Sequence, residues 1–211
     1  MKIISILSLS LFLVFLVSFL LKLFILYKKN GIKANVLAKG VKGKTITNVE
    51  LFVKITTFVW GLLWFTLSIM TIKAENFIGL AIEMKSVRYA GITVLFIGVS
   101  IFITAMVSMK TSWRVGIDKK TESKLVTAGI YKYSRNPAFV GFDVMFLGLT
   151  LTYPSFLVLT VTVVNVLAIH MLILQEEKHL KSAFGDKYVR YKAKTPRYIL
   201  FNRSVQSEKV S

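Results

Sequence analysis

Long apolar runs at residues 3–27, 51–72 and 89–109 constrain this chain more than any other feature. Each has at least the ~20 residues that an α-helix needs to cross the hydrocarbon core of a bilayer. The first carries Lys22 near its end, where a lysine can reach the interface; the second carries Lys54 near its start; the third carries no charge. Inside hydrocarbon every peptide group must be satisfied within the protein, so such runs fold as helices. The sequence shows neither strand-like alternation nor internal repeats, and the expected fold class is all-α, a polytopic membrane protein. Residues 3–27 exceed the ~7–15-residue apolar core of a signal peptide, and no small-x-small site follows, so they are expected to be a retained span.

A fourth apolar block covers residues 137–174 and is divided by Pro154 between Tyr153 and Ser155. The expected structure is a short helical hairpin. Its first arm, 137–152, rises only about 24 Å at ~1.5 Å per residue, so its N-terminus is expected to start in a polar recess below the headgroups. About five transmembrane helices result. Residues 28–50 carry six lysines against Glu50, residues 110–136 carry seven basic residues against Asp118 and Glu122, and the tail from Glu176 carries nine against four acids. Five spans with the N-terminus outside place all three basic segments, and with them the site and the C-terminus, in the cytoplasm.

The formal charge is +18, and 55% of the residues are hydrophobic. A charge of this size suits nucleic acid in a soluble protein, but here it lies between apolar runs and points to membrane lipids as partners, with no nucleic acid. There is no cysteine, and the two histidines, His170 and His179, are too few for a metal cluster, so no metal is expected. Beyond the last span, Leu180, Phe184, Tyr188 and Tyr191 recur at helical spacing and predict a C-terminal interfacial helix, although Gly185-Asp186 offers a break between two helices.

The stretch GIYKYSRNPAFVGF (129–142) concentrates polar chemistry at the mouth of the hairpin. Asn136 and Pro137 suit the cap and first residue of a helix, whose free N–H groups attract a carboxylate or phosphate. Arg135 beside them is the catalytic candidate, able to clamp an anion with two hydrogen bonds. Tyr131, Tyr133 and Phe139 add aromatic faces, and Gly141 admits close approach. Singly, each residue is explained by an interface belt or a helix start. The tight turn at Pro154 brings Glu176 and Glu177 back to the same face as Arg135. Glu176 is the expected ligand-facing acid, and Glu177 is expected to bridge to Lys181 at i,i+4. Asp143 is expected to pair with Arg114 or Arg135, or to hold a ligand cation; His170 is expected to be neutral and bonded to a neighbour.

The strings WRVGID (113–118), LVTAGIYKYSRNPAFVGF (125–142) and EEKHLKSAFGDKYVRYKAKTPRYI (176–199) resemble the isoprenylcysteine carboxyl methyltransferase family, which is related to the membrane phospholipid methyltransferases. The resemblance covers roughly 107–200. It implies three regions: N-terminal transmembrane helices (1–106), a methyltransferase core with a cofactor pocket (107–200) and a polar tail (201–211). It also implies S-adenosyl-L-methionine as methyl donor. Carried over by position, the cofactor contacts are Ser123, Lys124, Leu125, Val126, Tyr131, Asn136, Pro137, Ala138, Phe139 and Glu176. The family usually has His at position 136, often Tyr at 139, and in eukaryotic members Arg at 172, where it takes the substrate carboxylate; this chain has Asn136, Phe139 and Leu172. Arg135, Arg197 or His170 then has to replace that arginine, with Arg197 and His170 as substrate-binding candidates.

The expected function is therefore methylation of a lipophilic small-molecule or lipidated acceptor, most simply at a carboxylate, which needs no general base. Two alternatives are a sterol-reductase-like membrane reductase using NADPH and a non-enzymatic basic membrane scaffold.

Overall fold

The computed structural model describes residues 2–73, 85–118 and 124–198. The predicted polar tail 201–211 and the predicted cofactor contact Ser123 lie outside the described residues. The described elements are helices α1 (Lys2–Asn30), α2 (Lys44–Lys73), α3 (Lys85–Ser108), α4 (Pro137–Thr152), α5 (Phe156–Phe184) and α6 (Asp186–Lys194), with 3-10 turns at Lys110–Ser112 and Gly129–Lys132. The all-α expectation holds. Helices α1, α2, α3 and α5 are long and apolar enough to cross a membrane, and α4 is the predicted shorter apolar arm.

The hairpin forms as its sequence dictates. The backbone turns at Tyr153-Pro154, and Ser155 Oγ accepts the Val158 N–H at 3.3 Å to start α5. Thr150 and Thr162 share a hydroxyl hydrogen bond of 2.8 Å between the arms. Small polar side chains also tie α1 to α2. Trp64 Nε1 donates to Ser8 Oγ at 2.9 Å, and Ser8 bonds Ser68 at the same distance. Between hydrocarbon-facing helices such bonds and close packing hold the bundle, because lipid is as apolar as leucine.

The tightest seam joins α3 to α4, antiparallel, through glycines. A Cβ at Gly148 would lie 2.6 Å from the Leu95 backbone nitrogen, and one at Gly141 would lie 2.8 Å from that of Phe102. The obstacles are main chain, so they cannot rotate away. Gly148→Ala is expected to push the helices apart and lower the detergent melting midpoint, with an overpacking cost of about 1–3 kcal/mol. Gly61→Ala, whose new methyl would come no closer than 4.0 Å to Phe12, is expected to leave the midpoint unchanged. Equal midpoints for the two variants would show that the seam is not tight.

At one end of the bundle the connecting segments interlock. Asn35 pairs with Val115 in an isolated bridge. Buried Glu50, at the start of α2, accepts the N–H groups of Ile117 (2.7 Å) and Ala38 (2.8 Å) and pairs with Lys42 Nζ (2.8 Å). Residues 35–42 and 115–117 are therefore held together at this end of the bundle. Of the two expectations for the chain beyond the last span, the break at Gly185-Asp186 is the one that forms. Helix α5, 29 residues or about 43 Å long, runs on to Phe184; Gly185 at φ 51° breaks the chain, and amphipathic α6 follows. Glu176 sits about 30 Å along α5 from its start, a distance close to the thickness of a bilayer's hydrocarbon core.

Candidate functional site

The start of α4 is tied to the end of α5 by a buried ionic clasp. Arg135 Nη2 meets Glu177 Oε1 at 2.9 Å, and its Nη1 donates to the Thr195 and Lys192 carbonyls at 2.6 and 3.2 Å. Arg197 closes on the same carboxylate from the other side, Nε to Oε1 and Nη2 to Oε2, both at 3.0 Å. Glu177 is 6% exposed. The expected Glu177–Lys181 bridge is thus replaced. Segment 195–198 folds back over the helix start, where the Pro196 carbonyl accepts the Arg135 N–H at 2.9 Å, and two guanidinium groups reach the carboxylate. Two cations against one anion leave the clasp with net positive charge.

Asn136 does not cap α4 with its side chain, as its position predicted. Its Nδ2 donates instead to Glu177 Oε1 and to the Arg197 carbonyl, both at 3.3 Å, while Ser134 Oγ accepts its backbone N–H. The first bond of the helix is Val140 N–H to the Asn136 carbonyl. The N–H groups of Ala138 and Phe139 precede it and are left for another acceptor.

Beside the clasp lies a cavity of about 760 Å³. Residues 124–126, Tyr131, Ala138, Phe139 and Glu176 line its polar end, and Asn35, Leu37 and Ile117 roof it. On α2 its wall runs from Val53 to Phe65, a rise of about 18 Å. Apart from Lys54 and Thr57 near its start, that arm is apolar, and it faces Phe12, Phe15 and Phe19 of α1. Glu176 makes no hydrogen bond or ion pair with the described residues, although it lines the wall. Burial first, then the charge of Glu176 and the neighbouring Tyr191, holds the Tyr131 hydroxyl far above the usual phenol range, so it remains a neutral donor.

Of the predicted site residues, Lys124, Leu125, Val126, Tyr131, Arg135, Asn136, Ala138, Phe139 and Glu176 lie on this one wall. Pro137 is buried as the first residue of α4 and does not line the cavity. Arg197 belongs to the clasp rather than the wall. His170 lies outside the wall as well, its Nδ1 2.6 Å from the Tyr198 hydroxyl. Asp143 pairs with neither expected arginine: Arg114 Nε bonds Asp118 Oδ2 at 3.1 Å, Arg135 is held by Glu177, and Asp143 Oδ1 is buried with no partner among the described residues. Leu172 lines the cavity, so no cation stands at that position.

Sequence reasoning missed the contributions of α1, α2 and the segment between them. The wall draws on both sides of the expected boundary at residue 106. The aromatic density of the first two spans was the available signal, but aromatic residues in a span more often pack against each other. Trp60 and Phe146 do so here, with ring centroids 4.8 Å apart.

Residues 86–187 match the family described as phospholipid methyltransferase. The protein-S-isoprenylcysteine O-methyltransferase of Schizosaccharomyces pombe (strain 972 / ATCC 24843) is 36% identical over 83 residues, which are 39% of this chain and 35% of that relative. The chain thus spans about a third of the length of the curated relative it matches. The matched segment supplies α3, the α4–α5 hairpin and the rear of the cavity, and it is in this segment that the chain is similar to the phospholipid methyltransferases of membranes.

Proposed function

We propose that the protein is an S-adenosylmethionine-dependent methyltransferase of the membrane, acting on a lipophilic acceptor at a carboxylate oxygen. The observation that carries this reading is the unpartnered Glu176 carboxylate at the polar end of a cavity whose other arm is apolar. Methyltransferases of this family use S-adenosylmethionine, and the groups on the wall fit it. Glu176 suits its ammonium or ribose hydroxyls. The free N–H groups at the start of α4, beside the positively charged clasp, suit its carboxylate. Tyr131 and Phe139 offer faces for the adenine or the sulfonium. A cavity of about 760 Å³ lies in the upper part of the ~300–1,000 Å³ range of ligand pockets, leaving room for an acceptor beside the cofactor.

When bound, the cofactor supplies a methyl group to an acceptor oxygen, whose lone pair forms the new bond while the C–S electron pair stays on sulfur, so a carboxylate releases no proton. The chain's contribution is then positioning and exclusion of water. The clasp fixes α4 against α5. The roof, held by Glu50, closes the cavity on its polar side. The apolar arm beside Phe58 and Leu62, both exposed, receives an acceptor's hydrocarbon tail from the bilayer. The charge distribution supports an outside N-terminus, with the site and C-terminus cytoplasmic.

S-adenosylhomocysteine is expected to raise the melting midpoint of the detergent-purified protein, and NADPH is not. Lipid extract incubated with methyl-labelled cofactor is expected to yield an alkali-labile methyl ester in the lipid fraction. Stabilisation by NADPH alone would turn the reading to a reductase; alkali-stable label would replace the carboxylate with a nitrogen acceptor.

A further inference from the structure

A second cavity, of about 490 Å³, lies on the outer side of the roof, between the end of α1 and residues 32–42. Its floor is apolar, with Leu23 and Tyr27 in the last turns of α1 and Ile32 after them. Its rim is cationic. Lys42 is neutralised by Glu50, but Lys33 and Lys39 form no ion pair among the described residues, and Lys39 Nζ reaches only the Asn35 carbonyl at 3.4 Å. Asp118 on the opposite side is held by Arg114. Lys28 and Lys29 add two more cations where α1 ends. Tyr27, 59% exposed, and Val41, 91% exposed, flank the opening. One turn of helix separates Leu23 from Tyr27, about 6 Å, so the floor of the cavity runs from the apolar body of α1 towards its basic end.

We propose that this cavity binds an anionic phospholipid, with its phosphate between Lys33 and Lys39 and the first part of an acyl chain along Leu23 and Tyr27. A soluble anion has no use for the apolar floor, and a neutral lipid has no use for the rim. The site also has a route to the cofactor cavity. Asn35 and Asp118 stand in the walls of both cavities, so one short segment is the roof of one and the side of the other. A bound anionic lipid steadies that segment in its closed position.

Native mass spectrometry of the protein released from mixed phosphatidylglycerol and phosphatidylcholine micelles tests the site. The wild type is expected to retain phosphatidylglycerol in preference to phosphatidylcholine. Lys33→Gln/Lys39→Gln is expected to reduce that preference roughly ten- to thirty-fold, from the loss of two lysines at the surface. Lys187→Gln/Lys192→Gln on α6 removes the same charge elsewhere and is expected to leave it intact. The proposal falls if both pairs weaken retention equally, which shows diffuse surface charge, or if inorganic phosphate displaces the lipid, which shows a soluble-anion site. It also falls if phosphatidylcholine is held equally well. Lipid retention is read without any methyl transfer, so this result is separate from the fate of the proposed activity. In phosphatidylcholine vesicles, adding phosphatidylglycerol is expected to tighten S-adenosylhomocysteine binding in the wild type but not in Lys33→Gln/Lys39→Gln; equal tightening in both would remove the link between the two cavities.

Discussion

Glu176→Ala is expected to yield a folded protein that no longer binds S-adenosylhomocysteine at useful concentrations. The side chain touches the cavity and makes no hydrogen bond with the described residues, so its removal breaks no contact that holds the bundle. It also removes a negative charge beside Glu177. The melting midpoint of the free protein is therefore expected to stay level or rise. A hydrogen bond to a charged partner contributes about 1.5–3 kcal/mol, which is roughly ten- to hundred-fold in affinity for each bond lost. Glu176→Gln keeps the shape and loses the charge; it is expected to fall between wild type and alanine if hydroxyls are bound, and to match alanine if an ammonium is bound. Isothermal calorimetry with S-adenosylhomocysteine and a melting curve on the same sample decide it. Wild-type affinity in the alanine variant would take Glu176 out of the site.

Arg135→Ala acts in the opposite way, on the frame rather than on the ligand. It leaves Glu177 buried with half of its counter-charge and frees the Thr195 and Lys192 carbonyls. Removing one partner of a buried ion pair costs about 3–5 kcal/mol, and the retained Arg197 pair holds the effect near the lower end. The expected result is a large fall in the melting midpoint, together with trypsin cleavage in the basic α6 segment, where segment 195–198 has lost its hold. Arg135→Lys restores a charge but not a fork that reaches a carboxylate and two carbonyls at once, and is expected to recover only part of the loss. Glu177→Ala is expected to resemble Arg135→Ala, and the double variant to be no worse than either, because the partners act as one unit. Additive losses would show that the clasp is not a unit.

Features written in local sequence were legible before the fold. Apolar length announced the spans, Pro154 with Ser155 announced the hairpin turn, and Asn136-Pro137 marked the start of α4 to the residue. The convergence of Tyr131, Arg135, Asn136 and Glu176 followed from that turn alone, because an antiparallel pair must return to the face it left. Glu177 was misread because its sequence neighbour Lys181 is a plausible partner, whereas its real partners lie 42 and 20 residues away. The capping role of Asn136 failed for the same reason: its amide is turned so that Nδ2 donates to the distant Glu177 carboxylate, and Oδ1 accepts no N–H of the first turn. The roof was invisible, since a bridge between Asn35 and Val115 leaves no periodic trace in either segment. Nothing in the structure explains why Asp143 is kept as an acid with a buried, unpartnered oxygen.

The cavity has a front of α1 and α2 and a rear made largely by the matched segment 86–187. Under the proposed function, exchanging the front while keeping the rear is expected to change which acceptor enters and to leave the groups that face the cofactor in place. It works like exchanging the antechamber of a room whose furnace stays lit, and chimeras joined in the connection before α3 are where such exchanges would be made in the laboratory.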